Sequence, residues 1–236
     1  MSNVLGIINP IHKLIKHAKK NNIPILIDAC QSVCHQSIDV KKLGCDFLVF
    51  SGHKMMGPTG VGILYINNNY LDKLDPFLRG GHMIKEVDYL TSTWNDSPWK
   101  FEAGTANIAQ VIGLASSIEY INKIGYSAIK EHEDILLKKL LSMLNTINAI
   151  TIYGHQKHSV SGPIISFNIK ECHPYDLAKL LDMYGICIRA GHHCAQLLMK
   201  RFNINYTNRI SLYLYNTEEE IDFFIKKLRE VSSRIK

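Results

Sequence analysis

Residues 47–65 read Phe47-Leu48-Val49-Phe50-Ser51-Gly52-His53-Lys54-Met55-Met56-Gly57-Pro58-Thr59-Gly60-Val61-Gly62-Ile63-Leu64-Tyr65. Four apolar residues end in a Ser-Gly-His-Lys tetrad, and a glycine-rich stretch leads into a second apolar run. The first run suits a strand buried on both faces of a parallel sheet. The glycines suit a tight turn that returns the chain to the sheet and holds Lys54 in place. Ligands of open α/β sheets gather at such strand ends. The lysine precedes the glycines and no G-x-x-x-x-G-K-[ST] occurs, so the segment is not a P-loop.

Upstream, Ile23-Pro24-Ile25-Leu26-Ile27-Asp28 is another continuous apolar run that ends in a carboxylate. Pro10 heads a predicted helix over Ile11 to Asn21. Met1 to Asn9 reads as a strand end and the loop after it. Downstream, Val61 to Ile66 is a third strand, and helices are predicted over Asn107–Ile121 and Tyr126–Leu144. The pattern then alternates: strand Pro163–Ile169, helix Pro174–Tyr184, strands Ile186–Arg189 and Arg209–Tyr215, and a helix from Thr217 to about Val231. Thr217-Glu218-Glu219-Glu220 is a capping box that marks the start of that last helix. The expected fold class is α/β, with residues 1–125 forming part of a large sheet domain and residues 126–236 a smaller α+β domain.

The 236 residues are 46% hydrophobic and 20% charged, with a formal charge of +6. That composition is ordinary for a globular protein able to bury a core. Lys13 to Lys20 alternate with apolar residues at helical spacing, which indicates a solvated helix face and no nucleic-acid partner. No apolar run is long enough to span a membrane. Six cysteines without a C-x-x-C pair, and no signal peptide, indicate reduced thiols in a cytoplasmic setting.

The chemistry concentrates at two places. Asp28-x-x-Gln31 and Ser51-Gly52-His53-Lys54 each follow an apolar strand. A pyridoxal-phosphate (PLP) site needs a lysine to bond the cofactor aldehyde and a carboxylate to keep the pyridine nitrogen protonated. Taken singly, Asp28 is more simply a helix cap and Lys54 a surface lysine; the combined pattern favours the cofactor. Gln31 could reach the ring hydroxyl, and Ser51 and His53 the phosphate. The second place is Arg189-Ala190-Gly191-His192-His193-Cys194. A zinc set there lacks a fourth ligand at a recognisable spacing, so an exposed nucleophilic thiol is the better account of Cys194. Arg209 opens a strand, and stands open between a carboxylate-binding and a plain surface arginine.

Asp28-Ala29-Cys30-Gln31, the Ser51–Tyr65 stretch, Gly80-Gly81-His82-Met83-Ile84, Phe101-Glu102-Ala103-Gly104-Thr105, Arg189 to Gln196, and Arg209 with Tyr215-Asn216-Thr217 resemble the successive motifs of SUF-type (group II) cysteine desulfurases. These are fold-type I PLP enzymes of the class-V aminotransferase family, related to selenocysteine lyases. The resemblance implies Lys54 as the cofactor-bearing lysine, Asp28 as partner of the pyridine nitrogen and Gln31 as ligand of the ring hydroxyl. It implies Ser51 and His53 at the phosphate, joined by Thr105 from the other subunit of a homodimer. Asn3 and Arg209 would hold the substrate carboxylate, with Arg189 lining the site. Cys194 would take sulfur from L-cysteine, or selenium from L-selenocysteine, leaving L-alanine, and a SufE-like acceptor would carry the sulfur toward iron–sulfur clusters. A kynureninase-like lyase of the same fold is the runner-up, against which the Cys194 loop argues.

This sequence departs from the family pattern at Ala29, Cys30, Arg79, Ala106 and Leu197. Family members also carry a long preceding segment that supplies further strands, a phosphate-binding threonine and a histidine stacked on the PLP ring. Two expectations follow: the chain is part of a complete desulfurase, or it is a truncated remnant or binding module that does not hold PLP on its own.

Overall fold

The computed structural model describes residues 1–155 and 161–234, with the side chain of Arg234 left aside. The chain divides into two compact units, Ile11–Lys123 and a discontinuous one made of Met1–Pro10 with Ile124–Lys236. The sequence reading places residues 1–10 with the large domain; in the structure they belong to the C-terminal unit. Non-local bonds cause this: Ile7 bridges Ser161, and Gly162 N–H donates to the Gly6 carbonyl. A Cβ on Gly6 would stand 2.4 Å from the Ile164 carbonyl oxygen, so only glycine permits this approach.

The Ile11–Lys123 unit begins with α1 (Ile11–Lys20), whose Ile15 and Ala18 are buried. Strand β1 (Leu26–Asp28) follows, then the single-turn α2 (Val40–Leu43), which Asp39 caps through the Lys41 and Lys42 amides. Strand β2 (Phe47–Ser51) runs parallel to β1, pairing Asp28 with Val49. Strand β3 (Gly62–Ile66) is antiparallel to β2, with Ser51 opposite Gly62. The sheet order is β1-β2-β3. All three strands were expected buried on both faces. Instead Leu26 is 54% and Leu64 is 53% exposed, because the elements packed on this three-stranded sheet do not cover both sides of it.

A short helix α3 (Asn68–Leu71) and the two-stranded ribbon β4 (Ile84–Val87) and β5 (Ser92–Trp94) come next. The sequence reading did not foresee this ribbon. Helix α4 (Ile108–Ile124) then packs Leu114, Ser117 and Ile121 inward.

The second unit continues with α5 (Tyr126–Leu144), β6 (Ile150–Tyr153), β7 (Ile164–Ile169) and α6 (Pro174–Asp182). It closes with β8 (Arg189–Gly191), α7 (Gln196–Arg201), β9 (Thr207–Ser211) and α8 (Glu218–Arg234). Its sheet is antiparallel throughout in the order β6-β7-β9-β8. One face of it carries a core of Leu136, Leu140, Ile165, Phe167, Leu177 and Ile225, drawn from α5, α6, α8 and β7. The eighth strand was expected over Ile186–Arg189 and forms at Arg189–Gly191. Ile186 and Ile188 pack against the core without ladder bonds, so their apolarity reflects burial and not pairing. The capping box forms as read: Glu220 N–H donates to Thr217 Oγ1 at 3.3 Å, and Thr217 N–H to Glu220 Oε2 at 3.1 Å.

Candidate active site

The predicted residues fall into two sets, one in each unit. Asp28, Gln31, Ser51, His53, Lys54 and Thr105 lie in the Ile11–Lys123 unit; Asn3, Arg189, Cys194 and Arg209 lie in the other.

In the first set, parallel pairing of β1 and β2 brings the two strand ends to one edge of the sheet. Asp28 closes β1, and its Oδ1 accepts the Cys30 N–H at 2.9 Å. That bond, with the Lys54 ammonium as a smaller cause, holds the carboxyl below its ordinary value, so Asp28 is ionised at neutral pH. Cys30 Sγ bonds the same carboxylate, and burial with that negative neighbour raises the thiol pKa. Gln31 opens a turn in which Ser32 and Val33 both donate to the Ala29 carbonyl. Past β2 the chain makes a single 3₁₀ turn, Gly52–Met55, that carries His53 and Lys54. Ser51 Oγ and His53 Nδ1 are 2.7 Å apart, so these two side chains act as a pair.

Glycine makes this turn possible. A Cβ on Gly52 would lie 2.9 Å from Val61 Cγ1, and one on Gly57 would lie 2.9 Å from the Gly52 carbonyl oxygen. The Gly57 amide instead donates to that carbonyl at 3.1 Å. Thr105 stands exposed on the loop ahead of α4, after Gly104, whose amide donates to the Gly81 carbonyl. Arg79, one of the departures noted in the sequence, lies over the Trp94 ring at 4.9 Å.

These groups suit PLP. An ionised carboxylate at a strand end can accept a pyridinium N–H, a half-buried lysine amine lies within electrostatic reach of it, and a Ser–His pair with a backbone turn offers donors to a phosphate.

In the second set, Arg189 pairs directly with Arg209 across β8 and β9. Like charges placed opposite each other are unfavourable, and an anion received between them removes the penalty. Burial and the Arg189 charge both lower the Arg209 pKa, though a guanidinium stays charged in this range. Arg209 Nη1 donates to the Asn3 carbonyl at 2.9 Å, and Asn3 Nδ2 donates to the His193 carbonyl at 2.8 Å. The N-terminal segment thus ties the arginine to the cysteine loop. Cys194 is exposed, and both it and His193 take left-handed backbone conformations, with φ of 59° and 53°. The Cys194 N–H donates to His192 Nδ1 at 3.1 Å, a bond that holds the backbone at the exposed thiol.

Sequence reasoning weighed His192 and His193 as part of a zinc set, set that aside, gave neither histidine a further role and passed over Thr207. Among the described residues no group of three or more His, Cys, Asp or Glu side chains could hold a metal ion. His193 is instead a buried structural partner of Thr207. Neither its burial nor the backbone strain beside it can be read from the sequence.

The chain is similar to known proteins over nearly its whole length. A cysteine desulfurase described as probable, from Halalkalibacterium halodurans, is 46% identical over 230 residues, covering 98% of this chain and 56% of the relative. A cysteine desulfurase of Wigglesworthia glossinidia brevipalpis is 46% identical over 233 residues, with the same coverage. The apo structure of a cysteine desulfurase from Thermococcus onnurineus NA1 matches with a TM-score of 0.96 at 40% identity, over 99% of this chain and 58% of that one. The chain therefore spans about half the length of the curated relatives it matches, and its mixed α/β fold is the corresponding part of theirs. The family model for class-V aminotransferases matches residues 1–224, and the chain belongs to that family.

Proposed function

We propose that the protein carrying this chain is a PLP-dependent cysteine desulfurase, converting L-cysteine to L-alanine and leaving a persulfide on Cys194. The observation that carries the proposal is the outward-facing Cys194 on a loop tied through Asn3 to Arg209, a combination that sulfur transfer from an amino acid needs.

PLP, when bound, supplies an electron sink for the carbanion formed at the substrate α-carbon. Lys54 would hold the cofactor covalently and shuttle a proton. Asp28 would keep the ring nitrogen protonated, because its carboxyl stays ionised under the Cys30 amide. Gln31 would face the ring hydroxyl, and Ser51 and His53 the phosphate, with Thr105 contributed across a homodimer. Arg209 and Asn3 orient the substrate carboxylate, and Arg189 lines the same anion site. The Cys194 thiolate attacks the substrate sulfur and forms an S–S bond as the substrate C–S bond breaks. The bonding pair of that C–S bond stays with the carbon, which takes up a proton to become the methyl group of alanine. Selenocysteine fits the same steps with selenium in place of sulfur.

The persulfide would pass to a SufE-like protein acceptor and on to iron–sulfur assembly. We place the reaction in the cytoplasm, where six free thiols remain reduced. In the described residues no helix is long and apolar enough to cross a membrane.

The test is alanine release from L-cysteine by wild type, Cys194→Ser and Lys54→Ala. Loss of activity in both variants supports the reading, and release by Cys194→Ser at the wild-type rate removes Cys194 from the mechanism. Alanine release from kynurenine in place of cysteine would favour the related lyase.

A further inference from the structure

His193 precedes the exposed thiol and is itself only 2% exposed. Its Nε2 lies 3.1 Å from the Thr207 carbonyl oxygen and 3.0 Å from Thr207 Oγ1. A carbonyl oxygen only accepts, so the proton sits on Nε2 and Nδ1 presents a lone pair. A second proton would create a buried cation close to Arg209 and Arg189, and burial with those charges lowers the ring pKa to about 4. The imidazole is therefore neutral at the pH of the cell.

The residue closes a ring of bonds within one unit. The Thr207 end of the ring is two residues from Arg209 on β9, on the same strand face. Arg209 donates to the Asn3 carbonyl, and Asn3 donates back to the His193 carbonyl. The His193 Nδ1 lone pair and the Arg209 Nε–H are buried and unpartnered among the described residues, and they are complementary as acceptor and donor. Consecutive left-handed residues without glycine persist only when surrounding bonds hold them. At His193 and Cys194 those bonds are Thr207 to the ring, Asn3 to the carbonyl and His192 to the Cys194 amide.

We propose that His193 is a positioning residue: a neutral imidazole strut that holds the Cys194 loop in its strained turn and, through Asn3, sets the Arg209 guanidinium. The proposal rests on the reading of Cys194 and Arg209 as working groups, and it adds that substrate-carboxylate and thiol geometry are set by one shared anchor.

Two measurements on the full chain test it without turnover. Nitrogen-15 NMR of the wild-type ring is expected to show the Nε2–H tautomer, uncharged down to about pH 5. In His193→Leu, hydrogen exchange at the Cys194 and Ala195 amides is expected to rise about tenfold while β7 core amides hold their rates. His193→Gln, whose side-chain N–H can reach the Thr207 carbonyl, is expected to restore exchange to within about threefold of wild type. An Nδ1–H tautomer, a ring titrating near its ordinary value, or wild-type Cys194 exchange in His193→Leu overturns the proposal. Should His193→Leu fail to fold, the wild-type tautomer and the glutamine variant still decide it. Alanine release by Cys194→Ser tests the underlying reading separately, since neither the tautomer nor the exchange rates depend on catalysis.

Discussion

At Asp28, one backbone amide decides the chemistry. The Cys30 N–H bond favours the ionised carboxylate, and Lys54 adds to it. Lys54→Ala is expected to abolish the covalent PLP linkage, measured as loss of the lysine-bound cofactor absorbance at roughly 420 nm. If the wild-type chain shows no such band, the 236 residues do not hold the cofactor unaided. His193 gives a stability signature. Its folded pKa, about 4, lies below the ordinary value of 6.5, so the unfolded chain binds the extra proton first as pH falls. Its contribution is complete above pH 6.5 and is lost as pH falls toward 4, amounting to about 3 kcal/mol. Urea midpoints for wild type should therefore fall more steeply across that window than those of His193→Gln; parallel slopes would refute it. Burial is the largest cause of this shift, and the charged or titratable groups facing the ring (Arg209, Arg189 and His192) add to it.

Elements show what a sequence can and cannot reveal. Helix α5 was legible from its apolar period, and the start of α8 from Thr217 and Glu220, because capping is a local interaction between residues three apart. Thr217→Ala is expected to cost about 1 kcal/mol, read from a urea titration. The glycine-rich return after Lys54, Gly57 to Gly62, was equally legible, whereas the 3₁₀ turn Gly52–Met55 that bears the lysine was not read in advance. Gly57→Ala should displace that turn and cost about 1–3 kcal/mol, because the added methyl meets backbone and not a flexible side chain. Thermal melts would check it, and an unchanged Tm would show that the turn adapts. The β4–β5 ribbon was illegible: Val87 is exposed and the strands are too short for an alternating pattern. The role of His193 was hidden too, because its partner Thr207 lies fourteen residues away and only β9 pairing brings it near.

Across the whole chain, large apolar side chains stand in solvent. Phe77 and Leu90 are each 96% exposed, and Ile108, Val111 and Ile112 line the outer face of α4. A helix apolar on more than one side is built to be covered on more than one side. With the β1 and β3 edges also unpaired in the described sheet, the isolated chain is expected to associate with itself as concentration rises. Sedimentation should show this, and Leu64→Lys with Val111→Lys should shift the distribution toward monomer. A monomer at all concentrations would refute it.

The placement of Met1–Pro10 has a consequence for assembly order. Ile11–Lys123 is inserted into the other unit, so that unit closes only after its two pieces meet across a loop of roughly 110 residues, an entropic cost of about 4 kcal/mol if the insert is unstructured. Folding the insert first shortens the effective loop. Docking of Met1–Pro10 then completes the discontinuous unit, and with it the Asn3 bonds to His193 and Arg209 form.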